Sequence, residues 1–181
     1  VKNYKFKKIR KKLNLIKPEL VFNLISFTGD NLIKSIKINT ILPNDILKWS
    51  IENNIYLILI GSAAEYGLTK NKKILEDKKL NPNSVYGLSK SLQSLIVKGY
   101  LNLFKNKTLL FRIFNLSGDI SNHNTVIGKV NNFILRNKNK KKKKILRLYD
   151  LSSKRDYIDT EDAAKIIIKM VTKNRVGIFN L

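Results

Sequence analysis

A serine, a tyrosine and a lysine in this chain have the types and spacing to move a proton. Ser62 lies in Gly61-Ser-Ala-Ala-Glu-Tyr-Gly67, where the apolar run Ile55-Tyr-Leu-Ile-Leu-Ile60 gives out. Tyr86 and Lys90 close Tyr86-Gly-Leu-Ser-Lys90, a spacing that sets them one turn apart on one face of a helix. A hydroxyl, a phenol and an ammonium converging at the carboxyl edge of a sheet suit proton transfer to a sugar or alcohol oxygen. A free tyrosine titrates near ~10 and is a poor acid or base at neutral pH; a nearby ammonium stabilises its phenolate and brings it toward the working range.

Tyr-x-x-x-Lys alone carries little weight, since it also occurs at Tyr4/Lys8 and Tyr66/Lys70. Context selects Tyr86. It has a serine upstream at a strand end, a helix start at Pro82-Asn83-Ser84, and an apolar helix beyond it.

The elements that must hold these groups alternate along the chain. Glu19-Leu-Val-Phe-Asn-Leu-Ile25 predicts a strand buried on both faces. Apolar positions from Leu32 to Ile51 predict a helix through about Asn53, capped by Asp30 and kinked or broken at Pro43. After the strand at 55–60 and a polar loop over 68–81, a helix over 83–104 carries Leu92, Leu95, Ile96 and Leu101 as its inward stripe. A strand at 108–114, a helix at 126–136, a strand near 145–148, a helix at 161–172 and a strand at 177–181 complete the pattern. The second of these helices has Thr160 or Asp159 as its cap. Such alternation predicts a mostly parallel sheet, whose ligands sit outside the carboxyl ends of the strands. Ser26, Ser62 and Asn115 are each expected just past a strand.

Composition bounds the rest. The chain has 181 residues and no cysteine, so disulfides, thiolate nucleophiles and cysteine metal sites are excluded. No apolar run approaches the ~18–20 residues that cross a bilayer, and the first residues lack the apolar middle of a secretory signal. The expectation is a soluble, cytoplasmic protein. It begins with Val1 rather than Met, which hints at residues upstream. The net charge of +23 admits two readings: a basic nucleic-acid-binding module using Lys138-Asn-Lys-Lys-Lys-Lys-Lys144, or a compositional excess of Lys, Asn and Ile with that run as a solvated loop. The second reading is preferred, and nucleic acid is not expected as a partner. His123 stands alone in a polar loop, so no metal site is assigned. Asp156, Asp159 and Asp162 are read as capping and loop residues, and Trp49 and Phe104 as core.

In order, these stretches resemble the extended short-chain dehydrogenase/reductase family, the NAD(P)-dependent nucleotide-sugar epimerases, dehydratases and reductases. The resemblance rests on Lys17-Pro-Glu-Leu-Val-Phe-Asn-Leu24, Asn39, Gly61-Ser-Ala-Ala-Glu-Tyr-Gly67 and Pro82-Asn-Ser-Val-Tyr-Gly-Leu-Ser-Lys90. Arg112-Ile-Phe-Asn-Leu-Ser-Gly118 and Arg155-Asp-Tyr-Ile-Asp-Thr-Glu-Asp162 follow. The Gly-Ser pair, Glu65 ahead of Tyr66, and Asp159 where many relatives carry histidine are closest to the GDP-4-keto-6-deoxy-mannose reductase branch.

The resemblance implies an α/β fold with a Rossmann-like doubly wound parallel sheet. Residues 1–181 would form a partial NAD(P)-binding domain, with the start of a substrate-binding portion over about 116–181. It implies Tyr86 as acid/base, Lys90 as its partner and ribose ligand, and Ser62 on the reacting oxygen. Ser26 and Asn39 fall on the cofactor side, while Asn115 and Arg155 would meet a nucleotide-diphosphate sugar. NAD or NADP is the implied cofactor, and a homodimer through the Tyr-Lys helix the implied assembly. Ala63 and Ala64 stand where the family's dehydratases carry an Asp-Glu pair, which leaves 4-keto reduction or 4-epimerisation. No Gly-x-x-Gly-x-x-Gly occurs, so the first βαβ unit with its pyrophosphate loop is missing, and an inactive fragment is a further reading. Ile25 replaces the small residue usual beside the cofactor.

Overall fold

A computed structural model describes residues 6–69, 73–118, 125–138, 145–148 and 154–181. His123 and Lys140 to Lys144 lie outside the described residues. The chain divides into two units. One comprises the residues up to Ile113 together with Met170–Leu181, and the other Phe114–Lys169. The last strand therefore belongs to the first unit.

The first unit opens with α1 (Phe6–Ile16), followed by β1 (Leu20–Asn23), α2 (Leu32–Ile36) and α3 (Leu42–Glu52). Then come β2 (Tyr56–Ser62), α4 (Val85–Leu103), β3 (Thr108–Ile113) and, after the second unit, the returning β6 (Gly177–Asn180). The strands form one parallel sheet in the order β1-β2-β3-β6. β2 lies inside it, and Leu57, Ile58 and Leu59 are wholly buried, which is what an uninterrupted apolar run requires. Leu42, Ile46 and Leu47 of α3 and Val97 of α4 pack with Leu57, Leu59 and Leu110 to form the core. Each such side chain removed from water contributes about 1.5–3 kcal/mol.

α1 was not expected from the sequence. Pro43 breaks nothing outright: it falls in the first turn of α3, where a missing N–H costs least. Just upstream, Lys37–Ile41 widens to a π-helical turn in which the Leu42 N–H donates to the Lys37 carbonyl. Asn31, not Asp30, caps α2. β2 runs on to include Ser62, so that serine ends the strand instead of following it.

The second unit holds β4 (Asn115–Ser117), α5 (Val126–Asn137), β5 (Tyr157–Asp159) and most of α6 (Thr160–Thr172). β4 and β5 pair in parallel, so Asn115 begins a strand. Residues 145–148 are irregular and have no pairing partner among the described residues, contrary to the strand expected there. Asp159 caps α6 by accepting from the Glu161 N–H at 2.8 Å. No helix among the described residues is long and apolar enough to cross a membrane.

Candidate functional site

β2 delivers Ser62 to the carboxyl edge of the sheet, and the chain turns there into a short 3-10 segment, Ala63–Tyr66. The turn closes at Gly67, whose φ of +64° suits glycine and whose missing Cβ leaves room for the Asn81 carbonyl. α4 begins opposite, capped by the Ser84 hydroxyl, which accepts from the Gly87 N–H at 3.0 Å. A Cβ on Gly87 would come within 2.4 Å of the Ala64 carbonyl, so the helix turn that carries Tyr86 lies directly on the turn that follows Ser62.

Hydroxyls on the inner face of α4 fix that approach. The Ser91 hydroxyl donates to the Gly87 carbonyl at 2.9 Å and lies 3.4 Å from the Glu65 carbonyl, and the Ser94 hydroxyl donates to Glu65 Oε2 at 2.5 Å. Lys90 is 2% exposed, and its ammonium donates to the Ile60 carbonyl at 2.7 Å and to Gln93 Oε1 at 3.3 Å. Its Nζ also lies 5.9 Å from the centre of the Tyr86 ring. Desolvation lowers the Lys90 amine to about 8, against the pull of the Glu65 charge in the other direction. Two of three N–H donors are thus spent on the protein and one remains. The Ser62 hydroxyl accepts from the Ala64 N–H at 3.2 Å, which leaves its own proton to donate.

Asn39 is fully buried on the π-helical turn. Its Oδ1 accepts from the Phe27 N–H at 2.8 Å and from the Ser26 hydroxyl at 3.4 Å; its Nδ2 donates to the Phe27 carbonyl at 2.7 Å and to the Ser89 hydroxyl at 2.9 Å. That amide has no group left for a ligand. It ties the loop after β1 to the helix of Tyr86 and Lys90, and Thr40 adds a bond from its hydroxyl to the Ser89 carbonyl at 2.8 Å. Ser26 is exposed on the same loop. In the second unit, Asn115 donates from Nδ2 to the Asp156 carbonyl at 2.7 Å, and Arg155 stands exposed before β5.

Sequence reasoning missed a buried charge pair beside Ser62. Arg112 Nε donates to Glu65 Oε2 at 2.9 Å, with both side chains nearly or wholly buried. Arg112 Nη1 donates to the Tyr66 hydroxyl at 2.8 Å, and that hydroxyl donates to Asn180 Oδ1 at 2.7 Å. Burial pushes the Glu65 carboxyl up, while bonds from Ser94 and the Ser62 amide and the Arg112 charge pull it down. A signal was available: Arg112 interrupts the apolar run Leu109-Leu110-Phe111, and a charge in a buried strand requires a partner.

Residues 5–181 match the model of the NAD dependent epimerase/dehydratase family. A GDP-6-deoxy-D-talose 4-dehydrogenase of Aggregatibacter actinomycetemcomitans is 29% identical over an alignment of 168 residues that covers 89% of this chain and 54% of that protein. RMD from Pseudomonas aeruginosa, solved with NADPH, superposes with a TM-score of 0.81 at 20% identity, over 91% of this chain and 60% of that one. A UDP-N-acetylglucosamine 4-epimerase from Methanobrevibacter ruminantium, solved with UDP-N-acetylmuramic acid, gives 0.79 at 22% identity, over 90% and 54%. Identities this low show the shared Rossmann-like fold. The chain spans about half the length of these relatives.

Proposed function

Because the chain belongs to the NAD-dependent epimerase/dehydratase family, we propose that it supplies the proton-transfer groups of an NAD(P)-dependent nucleotide-sugar oxidoreductase. Its preferred reaction is 4-keto reduction of a nucleotide-linked 4-keto-6-deoxyhexose. The observation that carries this reading is the buried Lys90 ammonium, bonded to the Ile60 carbonyl two residues before Ser62 and lying beside the Tyr86 ring. The relative named as a 4-dehydrogenase of a GDP-linked 6-deoxy sugar favours chemistry at C4.

The donor set fits one end of the cofactor. The remaining Lys90 N–H suits a ribose hydroxyl, whereas the 181 residues contain no glycine-rich loop for a pyrophosphate. When bound, NAD(P) supplies the hydride chemistry. Tyr86 gives or takes the proton at the sugar oxygen, Lys90 stabilises its phenolate, and Ser62 donates to the same oxygen as charge develops. Asn39 positions the loop of Ser26. Asn115 and Arg155 contact the substrate, the arginine at its diphosphate. Leu88 and Leu95, 40% and 55% exposed on α4, support pairing with a second copy through that helix.

Full-length protein with Tyr86→Phe should lose turnover by about 10²-fold or more while retaining nucleotide binding. Turnover at the parental rate sinks the mechanism. A 4-epimerase, the alternative that Ala63 and Ala64 also leave open, differs in stoichiometry. A reductase consumes one reduced cofactor per product, and an epimerase regenerates it.

A further inference from the structure

We propose that Glu65 is a positioning residue for both Ser62 and Lys90: its buried carboxylate bonds to the backbone at the serine and to Ser94 on the helix that carries the lysine. The inference rests on the reading that those two residues serve the reaction.

Geometry supports the first half. Glu65 Oε1 accepts from the Ser62 N–H at 2.8 Å, while the Ser62 hydroxyl accepts from the Ala64 N–H, so the two side chains lock the turn reciprocally. The Glu65 carbonyl also accepts from the Asn81 N–H at 3.1 Å. Oε2 is held by Ser94 and Arg112, which leaves the carboxylate no freedom to turn. Gly61 makes room for it: a Cβ there would meet Oε1 at 2.6 Å and the Leu110 side chain at 2.8 Å. Glycine at 61 and glutamate at 65 are therefore one device. Stability does not explain it, because apolar residues of similar volume often replace buried ion pairs without loss.

The second half follows from what surrounds Lys90. Tyr86 faces it from its own helix, and Glu65 acts on it from the turn after β2. Arg112 of β3 is bonded to Glu65, to the Tyr66 hydroxyl and to the Glu76 carbonyl. Burial favours the neutral amine, and Glu65 opposes it. Removing that charge lowers the pH at which the ammonium is lost.

The test uses 13C-lysine-labelled protein, with the Lys90 resonance identified through Lys90→Met. Glu65→Gln should move the Lys90 midpoint from about 8 downward by roughly half to one unit. In full-length enzyme the alkaline limb of kcat should move by the same amount. kcat at neutral pH should fall about tenfold, with KM for the nucleotide sugar within about twofold. Should Glu65→Gln not fold, the same substitution is made in a Gly99→Ala background, where the added Cβ meets nothing within 4 Å and stabilises α4. A folded variant of either kind whose Lys90 midpoint stays at the parental value overturns the inference. The titration needs no turnover, so an inactive parent enzyme would refute the oxidoreductase reading while leaving this proposal decided on its own measurement.

Discussion

In the first unit the inner face of α4 buries Ser89, Lys90, Ser91, Gln93 and Ser94, while in the second the described buried positions of α5 and α6 are Gly128 and Ala163. Glu65 and Arg112 meet out of water, whereas Lys165 meets Asp162 at 3.1 Å with both side chains more than half exposed. The same pairing of opposite charges thus occurs under two dielectric conditions. Where water is absent, each bond fixes a backbone turn and tunes a neighbour. Where water is present, solvent replaces the bond at little cost.

The sharpest way to break this contrast is Arg112→Ala. It strands a carboxylate that is wholly buried and removes the donor to Tyr66. Losing one partner of a buried pair costs about 3–5 kcal/mol, to be read from urea unfolding. A cost below about 1 kcal/mol would mean that water reaches Glu65 and that the first unit is no drier than the second.

Next in size is a pair of substitutions on α4 with opposite signs. A Cβ at Gly99 meets nothing within 4 Å, so Gly99→Ala should stabilise by about 0.5–1 kcal/mol through helix propensity alone. Gly87→Ala faces the Ala64 carbonyl at 2.4 Å, and the overpacking should cost about 1–3 kcal/mol and displace the turn after Ser62. Thermal unfolding of the two variants measures both. If Gly87→Ala stabilises as Gly99→Ala does, helix and turn are not in contact.

What the sequence made legible follows the same divide. The strands at 56–62 and 108–113 are legible because buried parallel strands read as unbroken apolar runs. β1, expected to be buried on both faces, is an edge strand among the described residues and leaves Phe22 42% exposed. Ser62, Tyr86 and Lys90 stood out because a strand end and a helical spacing frame them. Of the inward stripe expected on α4, Ile96 and Leu101 pack against the core, but Leu95 is 55% exposed, and small polar residues share the inner face. The strand and the turn under this helix present the carbonyls of Ile60 and Glu65, which Lys90 and Ser91 approach. Phe104, expected in the core, is 50% exposed just past the helix and tilts against Tyr100, while Trp49 is buried and donates to Asn14. α1 was hidden by its lysines, although Phe6 and Ile9 pack against the core at a helical interval. β5 is three residues long and pairs among the described residues with β4, so no local pattern marks it. Glu65 and Arg112 lie far apart in sequence, and only the fold joins them.

The smallest effect belongs to the second unit. Lys165 reaches Asp162 at 3.1 Å and Glu161 at 4.0 Å along the first turns of α6, an arrangement that looks on paper like a stronger network than the single Glu65–Arg112 contact. Exposure reverses that ranking. A solvated lysine gives up little hydration and loses side-chain entropy to hold its geometry. Lys165→Ala should therefore change unfolding free energy by less than about 0.5 kcal/mol, and the change should shrink further as salt rises. Alanine's own helix propensity works in the same direction. Urea titrations at low and high salt measure both. A loss comparable to that of Arg112→Ala would show that number of contacts, not removal from water, sets the strength of a charge pair in this protein.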